Sequence, residues 1–512
     1  MASKLFIFAI GGTGSRVVKA LTMLLASGVE LKNTSVVVPI IVDPHKANED
    51  LKRTENLLKT YQRIRNVSKP KPGEFFSTEI KTLSNIISNA DRIEDAYTFE
   101  LKGVGNQKFG DYIDHGNLDA ANKALADLLF SASNRDTDMD IGFVGNPNMG
   151  SVVLNQFKES EAFRQFAANF NPNDRIFIVS SIFGGTGAAG FPIILKNIRG
   201  AAEEHPDTRV ENPEHLKKAR IGALTALPYF GLEPSDDKRV DQGTFHSKAK
   251  AALHYYARGV GKSVNKLYYI GDQLTKNYEY DPGDGDKAQQ NDAHLIELAS
   301  ALAIVDFANL SDNELVTDDM GRPVGPVYAE YGLHNDAETV TFNDLGQGTL
   351  STIARPLSRM ALFSMYLTNN LRQAAGVATW TKDAPVIDSS FMTGQFVRVN
   401  LNDFNTAFRD WLREMATNRR SFKPFGTDSN NGLISDPAQV LAGYKPKSGF
   451  LGIGGKTDFL TMDEELNAYT KKDKQIGSAE EKLLRSMTRG LDKFLSNRFP
   501  DLFNSLPTTL ND

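Results

Sequence analysis

The sequence predicts an α/β fold built on a doubly wound, largely parallel sheet, and three observations carry that reading. Short, wholly apolar segments recur along the first half of the chain, as strands buried on both faces require. Residues with apolar spacing of about 3.6 follow several of them, so strands alternate with helices. Two of the strand-to-helix turns are rich in glycine and nearly identical in wording: FAIGGTGSRVVKAL early in the chain and IFIVSSIFGGTGAAGFPIIL far downstream.

The elements follow in order. Residues 5–10 predict a strand, 17–26 a helix, and 36–42 a second strand that contains Pro39 and ends at Asp43. Strand, glycine turn, helix, strand is a βαβ unit with a right-handed crossover. Residues 51–140 are more polar and less regular, and read as an insertion of helices and loops. A short strand is expected at 141–144, before GNPNMG. Strands are expected at 175–180, 221–227 and 266–270, with a helix over 191–198. DPGDGD at 281–286 is a loop. The stretch NDAHLIELASALAIVDF, 291–307, is apolar on nearly every side in its second half, the mark of a helix buried all round. Farther on, residues 321–348 are turn-rich and 350–371 predict a long helix interrupted near Pro356. FVRVN at 396–400 reads as a strand, 401–416 as a helix and 427–455 as loop. A last helix spans 478–495, with Ser478 and Glu481 as a capping box and an apolar stripe of Leu484, Met487, Leu491 and Phe494.

Bulk properties narrow the class. A chain of 512 residues with 40% hydrophobic content supports two or three domains with a substantial core. A net charge of −5 argues against nucleic-acid binding through general basicity. The absence of cysteine removes disulfides, thiol nucleophiles and cysteine metal sites, and fits a reducing cytoplasm. No apolar run approaches the roughly 20 residues of a membrane helix, and MASKLFIFAI reads as a first strand rather than a leader. A cytoplasmic protein without membrane insertion is therefore expected.

The glycine loops point to phosphate. Glycine lets backbone N–H groups approach an anion closely, and the helix that follows offers its positive end. The first loop offers Gly11, Gly12, Thr13 and Gly14, followed by Ser15 and Arg16. The second offers Gly184, Gly185, Thr186 and Gly187, followed by Ala188, and Thr186 adds a hydroxyl. The structural alternative is a pair of tight turns kept for packing. Neither loop is a P-loop, since both lack the lysine, and GGKT ending at Thr457 has Phe450 where the first glycine belongs. A dinucleotide fingerprint beginning at Gly12 meets Val17 in place of its third glycine; Asp43 would suit a ribose, but the second loop is left unexplained. His246 and His254 lack metal-ligand spacing, and no metal held by the protein is expected. His45 reads as a surface histidine, Trp380 and Trp411 as core or contact residues, and TNRRSFK at 417–423 as a solvated basic loop.

FGGTGAAG, residues 183–190, resembles the GGGTG signature of the tubulin/FtsZ family of GTPases, with Phe183 in place of the first glycine. The first loop is similar to that family's first nucleotide loop. VDPHKAN, with Asp43, is similar to the second, and Gly145, Asn146 and Pro147 to the third. ALPYFGLEP resembles the segment that puts Glu233 near a ribose, and NDAHLIEL the start of the central helix, whose Asn291 would read guanine. The resemblance covers about residues 5–310 in order. It departs at Arg16, where Asn or Gln is usual, in the long stretch between Asp43 and Gly145, and beyond Phe307. It implies a Rossmann-like GTP-binding domain at 1–290 with an insertion at about 51–140, a central helix at 291–310, and a divergent α+β C-terminal domain at 311–512. It further implies GTP and GDP with Mg²⁺ as ligands and head-to-tail self-assembly. Hydrolysis would be completed by acids from the next subunit: Asn343 and Asp344, favoured because a long helix follows them, or Asp312, Glu314, Asp318 and Asp319. A nucleotide-binding switch or scaffold that does not polymerise, within a multi-component bacterial system, is the alternative. A Rossmann oxidoreductase binding NAD is a third reading, without a catalytic constellation to support it.

Overall fold

In the computed structural model, strand residues divide their side chains between two cores, and that division sets the architecture. The structure describes residues 3–45, 48–87, 94–105, 107–139, 142–143, 145–201, 211–233, 243–273, 276–278, 290–315, 317–318, 323–324, 327–330, 337–447, 457–471, 476–507 and 510. Seven strands form one parallel sheet: β1 (Lys4–Ile10), β2 (Val36–Val42), β3 (Glu79–Ile80), β4 (Arg175–Ser181), β5 (Arg220–Ala226), β6 (Lys266–Ile270) and β7 (Val327–Glu330). Their spatial order is β3-β2-β1-β4-β5-β6-β7. β1 is central: Leu5 faces Val37 on one side and Arg175 on the other.

Leu5, Ile7 and Ala9 point to one face and Phe6, Phe8 and Ile10 to the other, as the two-residue period of a strand demands. On the first face lie α1 (Gly11–Ala26) and α2 (Glu49–Ser68). On the second lie α3 (Pro147–Leu154), α4 (Gly185–Arg199) and α5 (Gly243–Tyr255), together with an aromatic cluster in which Phe6 and Phe8 meet Phe157, Phe166 and Phe170. The central helix α6 (Leu295–Asn309) packs on the first face beside α1 and is buried on nearly every side. The expected Rossmann-like fold with a long buried helix is thus present.

Beyond the sheet the chain is mostly helical: α7 (Gln347–Asn369), α8 (Asn402–Thr417), α9 (Phe459–Thr470) and α10 (Ala479–Arg498). Among the described residues there, the β content is a two-residue parallel ladder, Thr339–Val340 against Ser421–Phe422, with isolated bridges at Phe425–Leu441 and Thr427–Leu433. Residues of α7, α8 and α10 belong to the same core as α1 and α6.

Several boundaries differ from the sequence reading. FVRVN is helical: Phe396–Leu401 is a π-helical turn running into α8. Its buried residues are Phe396, Val397, Asn400 and Leu401, a helical spacing that the brief alternation of apolar residues disguises. α7 passes through Pro356 without interruption, in a stretch buried from Ile353 to Tyr366. Packing on that scale outweighs the one backbone hydrogen bond that proline removes. The described part of the expected strand at 141–144, Gly142 and Phe143, is irregular, and the rest lies outside the described residues, as does the loop at 281–286. The 51–140 stretch contributes β3 to the sheet, and α2 begins before it. Pro39 fits in β2 because the outer neighbour changes there: β3 pairs with Val36 and Val37, whereas Ile41 bonds to Tyr97 and Phe99. At the start of α10, Ser478 accepts from the Glu481 N–H at 3.2 Å, but the Glu481 carboxylate accepts from Gly477, one residue earlier than a capping box requires.

Candidate functional site

Helices α1 and α2, which follow β1 and β2, cover one face of the sheet, whereas α4 and α5, which follow β4 and β5, cover the other. The winding therefore reverses between β1 and β4, which are neighbours. A crevice opens at such a reversal, at the carboxyl ends of the strands. Both glycine loops sit there. A Cβ placed on Gly11 would lie 3.5 Å from Thr186 Cβ and 3.7 Å from the Gly187 nitrogen, so the two loops are in contact. Gly11 has φ of +71°, a left-handed conformation that glycine adopts without strain. Gly187 is required by space: a Cβ there would come within 2.8 Å of three atoms of Ser181. The partly exposed residues of the two loops are Gly12, Gly184 and Thr186.

Each loop opens a long helix whose first turn carries neither a side-chain cap nor an acidic residue. The first N–H groups of a helix have no partner within it. The third predicted loop completes the arrangement. A Cβ on Gly185 would lie 2.9 Å from the Asn146 nitrogen and 3.1 Å from the Gly145 nitrogen. Asn146 caps α3 with its own side chain, 3.2 Å from the Asn148 N–H, and Pro147 is the first residue of that helix.

Asp43, at the end of β2, is buried, and its carboxylate accepts from the His45 N–H at 3.1 Å. Burial pushes its pKa up to about 7, against the pull of the His45 N–H and the Arg16 charge. His45, expected at the surface, is itself buried. Arg16 lies beside Gly12 and belongs to a buried cluster. It bonds Glu297 of α6 at 2.6 Å, Asp50 of α2 at 2.7 Å, the Tyr229 hydroxyl at 2.9 Å and Thr13 at 3.4 Å, and its guanidinium lies over the Phe230 ring. A second cluster continues from Asp50. Arg53 joins Asp50 to Glu414 of α8, and Glu414 also holds Lys19 and the Ala293 N–H just before α6.

The other predicted residues have distinct settings. Ser15 is buried, its hydroxyl 3.4 Å from the Gly11 carbonyl. The Ala188 carbonyl accepts from the Tyr256 hydroxyl at 2.9 Å. Asn291 lies outside α6, its backbone held by Asp50 and Arg53. Glu233 is exposed beyond a small ladder, with its N–H on Tyr278. Asp312 pairs at 3.0 Å with both Arg175 and Arg220, the first residues of β4 and β5. It therefore sits at the edge of the sheet opposite the glycine loops, about 20 Å away at the rise of a seven-residue strand. Glu314 caps the short turn after α6, Asp318 is half-buried beyond it, and Asp319 lies outside the described residues. Asp344 caps its own turn by accepting from Thr341, and Asn343 accepts from the Tyr444 hydroxyl at 2.6 Å. The ladder preceding this turn is tied by Arg420 to Asp272, just past the end of β6, which is the glycine-loop side of the sheet.

Sequence reasoning passed over Asp50, Glu297, Tyr229, Glu414 and Lys248. The first four read as ordinary charged or aromatic residues on their own elements, and only tertiary packing assembles them. Lys248 lies on α5, and its Nζ donates to the Gly145 carbonyl at 3.0 Å. Among the described residues no helix is long and apolar enough to cross a membrane.

No protein-family profile matches the chain, and no curated protein matches it. Among solved structures it is similar to CetZ from Methanosaeta thermophila strain DSM 6194, at 14% identity and a TM-score of 0.30, over 63% of this chain and 61% of that one. It is similar to CetZ2 from Haloferax volcanii in a GTPγS-bound protofilament, at 14% identity and 0.28, over 62% and 60%. It is also similar to the TubZ-Bt two-stranded filament, at 15% identity and 0.23, over 62% and 55%. The match thus spans less than two thirds of each of these chains.

Proposed function

We propose that this chain binds a guanine nucleotide, GTP or GDP, with its phosphates at the junction of the two glycine loops. The observation that carries the reading is the contact of Gly11 with Thr186 and Gly187 at the switch point of the sheet. Two long helices without side-chain caps begin there, so their amides and their positive ends face one crevice. Phosphate oxygens would accept from the amides around Gly12 and Gly184–Gly187, and from the Thr186 hydroxyl. The third loop, Gly145–Pro147, would close the far side. Asp43 is assigned to a ribose or Mg²⁺-linked contact, and on the family resemblance Glu233 is assigned to the ribose and Asn291 to the base. Among the described residues no group of three or more His, Asp or Glu side chains is gathered to hold a metal. Mg²⁺, when bound, would neutralise phosphate charge and ride on the nucleotide rather than on a protein cage.

Hydrolysis, in this reading, is shared between copies. Asp312 lies at the edge of the sheet opposite the loops, so a head-to-tail stack would carry it toward the next copy's nucleotide. Asp344 and Asn343, next to a ladder anchored on the loop side, suit that role less well. The double ion pair of Asp312 with Arg175 and Arg220 favours a second reading, in which the nucleotide serves as a slow switch on a scaffold. Equilibrium binding of GTP, GDP, ATP and NAD tests the core of the proposal. Guanine nucleotides should bind, and Thr186→Ala should weaken GTP by about tenfold, as loss of one charge-assisted hydrogen bond does. Preference for NAD, or no binding to any of the four, would overturn it.

A further inference from the structure

Neither glycine loop contains a lysine, yet a triphosphate brings several negative charges into the crevice. Arg16, the cation inside the first loop, is occupied: Asp50 and Glu297 bind it at 2.7 and 2.6 Å, and Tyr229 takes a further N–H. Building on the nucleotide reading above, we propose that Lys248 supplies the phosphate-facing cation, delivered from α5 rather than from a loop.

The geometry supports this in three ways. The Lys248 ammonium donates to the Gly145 carbonyl at 3.0 Å, and a Cβ on Gly145 would lie only 3.9 Å from Nζ. Gly145, with φ of +68°, belongs to the third loop, which itself abuts Gly185 of the second. Lys248 also lines a cavity of about 1180 Å³ with Asn146, Pro147, Phe183 and Ala188, all beside the loops. Among the described residues lining that cavity there is no aspartate or glutamate, and the other charged ones are Lys158, Lys196 and Arg199. Arg199 is spent on the carbonyls of Ser263, Lys217 and Ala219. Lys248 stands where that cavity meets the third loop, beside Asn146 and Pro147.

A backbone carbonyl is a weaker partner for an ammonium than a phosphate oxygen, which makes a charge-assisted bond. Lysine has a flexible stem and a compact charge, so it can pivot from Gly145 to a terminal phosphate without moving the helix. The loops then give shape and amide donors, and Lys248 gives charge that depends on the number of phosphates.

Titration calorimetry of the full chain with GTP, GDP and guanosine tests the assignment. Lys248→Met should weaken GTP by about tenfold to a hundredfold, GDP by less, and guanosine not at all. Lys248→Arg should recover part of the GTP affinity. Equal loss for all three ligands, or none for any, would overturn the role of Lys248 while leaving the nucleotide site standing. Wild-type protein without measurable affinity for GTP would overturn the underlying reading as well. Should Lys248→Met fail to fold, Lys248→Gln carries the same comparison.

Discussion

At the scale of single residues, buried charge dominates the region around the first loop. Arg16, Asp50 and Glu297 are all nearly inaccessible, and together they fasten α1, α2 and α6 at one point. Removing one member of such a set leaves another charge unpaired, at a cost of about 3–5 kcal/mol. Arg16, which the sequence places just after the glycines of the first loop, is thus also the structural keystone of this end of the sheet. His294 caps α6 in the same neighbourhood: its Nδ1 accepts from the Ile296 N–H at 3.0 Å, and Glu297 reaches back to the His294 N–H. Burial first, with help from Arg16 and Arg420, lowers the His294 pKa from 6.5 to about 4. The unfolded chain takes up this proton near pH 6.5 and the folded chain only near pH 4. Stability from this group is complete above pH 6.5 and is lost as pH falls toward 4, by at most about 3 kcal/mol. His294→Asn keeps an N-cap acceptor and removes the titration. Its unfolding free energy should vary less between pH 6.5 and 4 than that of the wild type; an unchanged slope would show that other groups govern this window.

At the scale of elements, periodicity made most of the sheet and the glycine-loop helices legible. The strands 5–10, 36–42 and 266–270 were readable to within a residue because a parallel strand buried on both faces is an apolar run with sharp ends. FVRVN misled because a short segment with alternating residues also fits one helical turn. β3, two residues long, has too little sequence to announce itself. The loops themselves were readable as glycine patterns; Lys248 and the Arg16 cluster were not, because contacts between residues 34 to 281 positions apart leave no local pattern. α4 shows how a local defect is repaired from elsewhere. Pro192 lacks the N–H that would reach the Ala188 carbonyl, and the Tyr256 hydroxyl, from the turn after α5, donates to that carbonyl instead. Tyr256→Phe should cost about 1–3 kcal/mol, the penalty for a buried acceptor left unpaired. Pro192→Ala restores the missing donor, so it should reduce that cost in the double variant. Chemical denaturation of the four-member cycle measures the coupling, and strictly additive effects would refute the repair.

At the scale of the whole molecule, the two edges of the sheet carry different chemistry. The glycine loops open at the carboxyl edge, and Asp312 lies at the other, held by the first residues of β4 and β5. α6 spans the distance: its start is tied to Arg16 through Glu297, and its last residues meet Arg175 through the Phe307 and Ala308 carbonyls. Under the proposed reading, the bottom of one unit would meet the top of an identical unit, a heterologous contact that propagates rather than closes. Hydrolysis per molecule should then rise with protein concentration. A sharper form mixes two variants, Gly12→Asp, which blocks the loop, and Asp312→Asn, which removes the acid. Each should be nearly inactive alone, and the mixture should recover part of the wild-type rate. A mixture no faster than its components would argue for the scaffold reading.

The central claim, that the amides at the two glycine turns receive a phosphate chain, is tested most directly at Gly12. A Cβ there meets nothing closer than Arg16 Nη1 at 3.4 Å, so the fold tolerates a side chain. An aspartate in the first turn of α1 interacts favourably with the helix dipole while placing its charge where the phosphates would sit. Gly12→Asp should therefore melt at or above the wild-type temperature and yet lose GTP binding by calorimetry. A Gly12→Asp protein that binds GTP as tightly as the wild type would contradict the account.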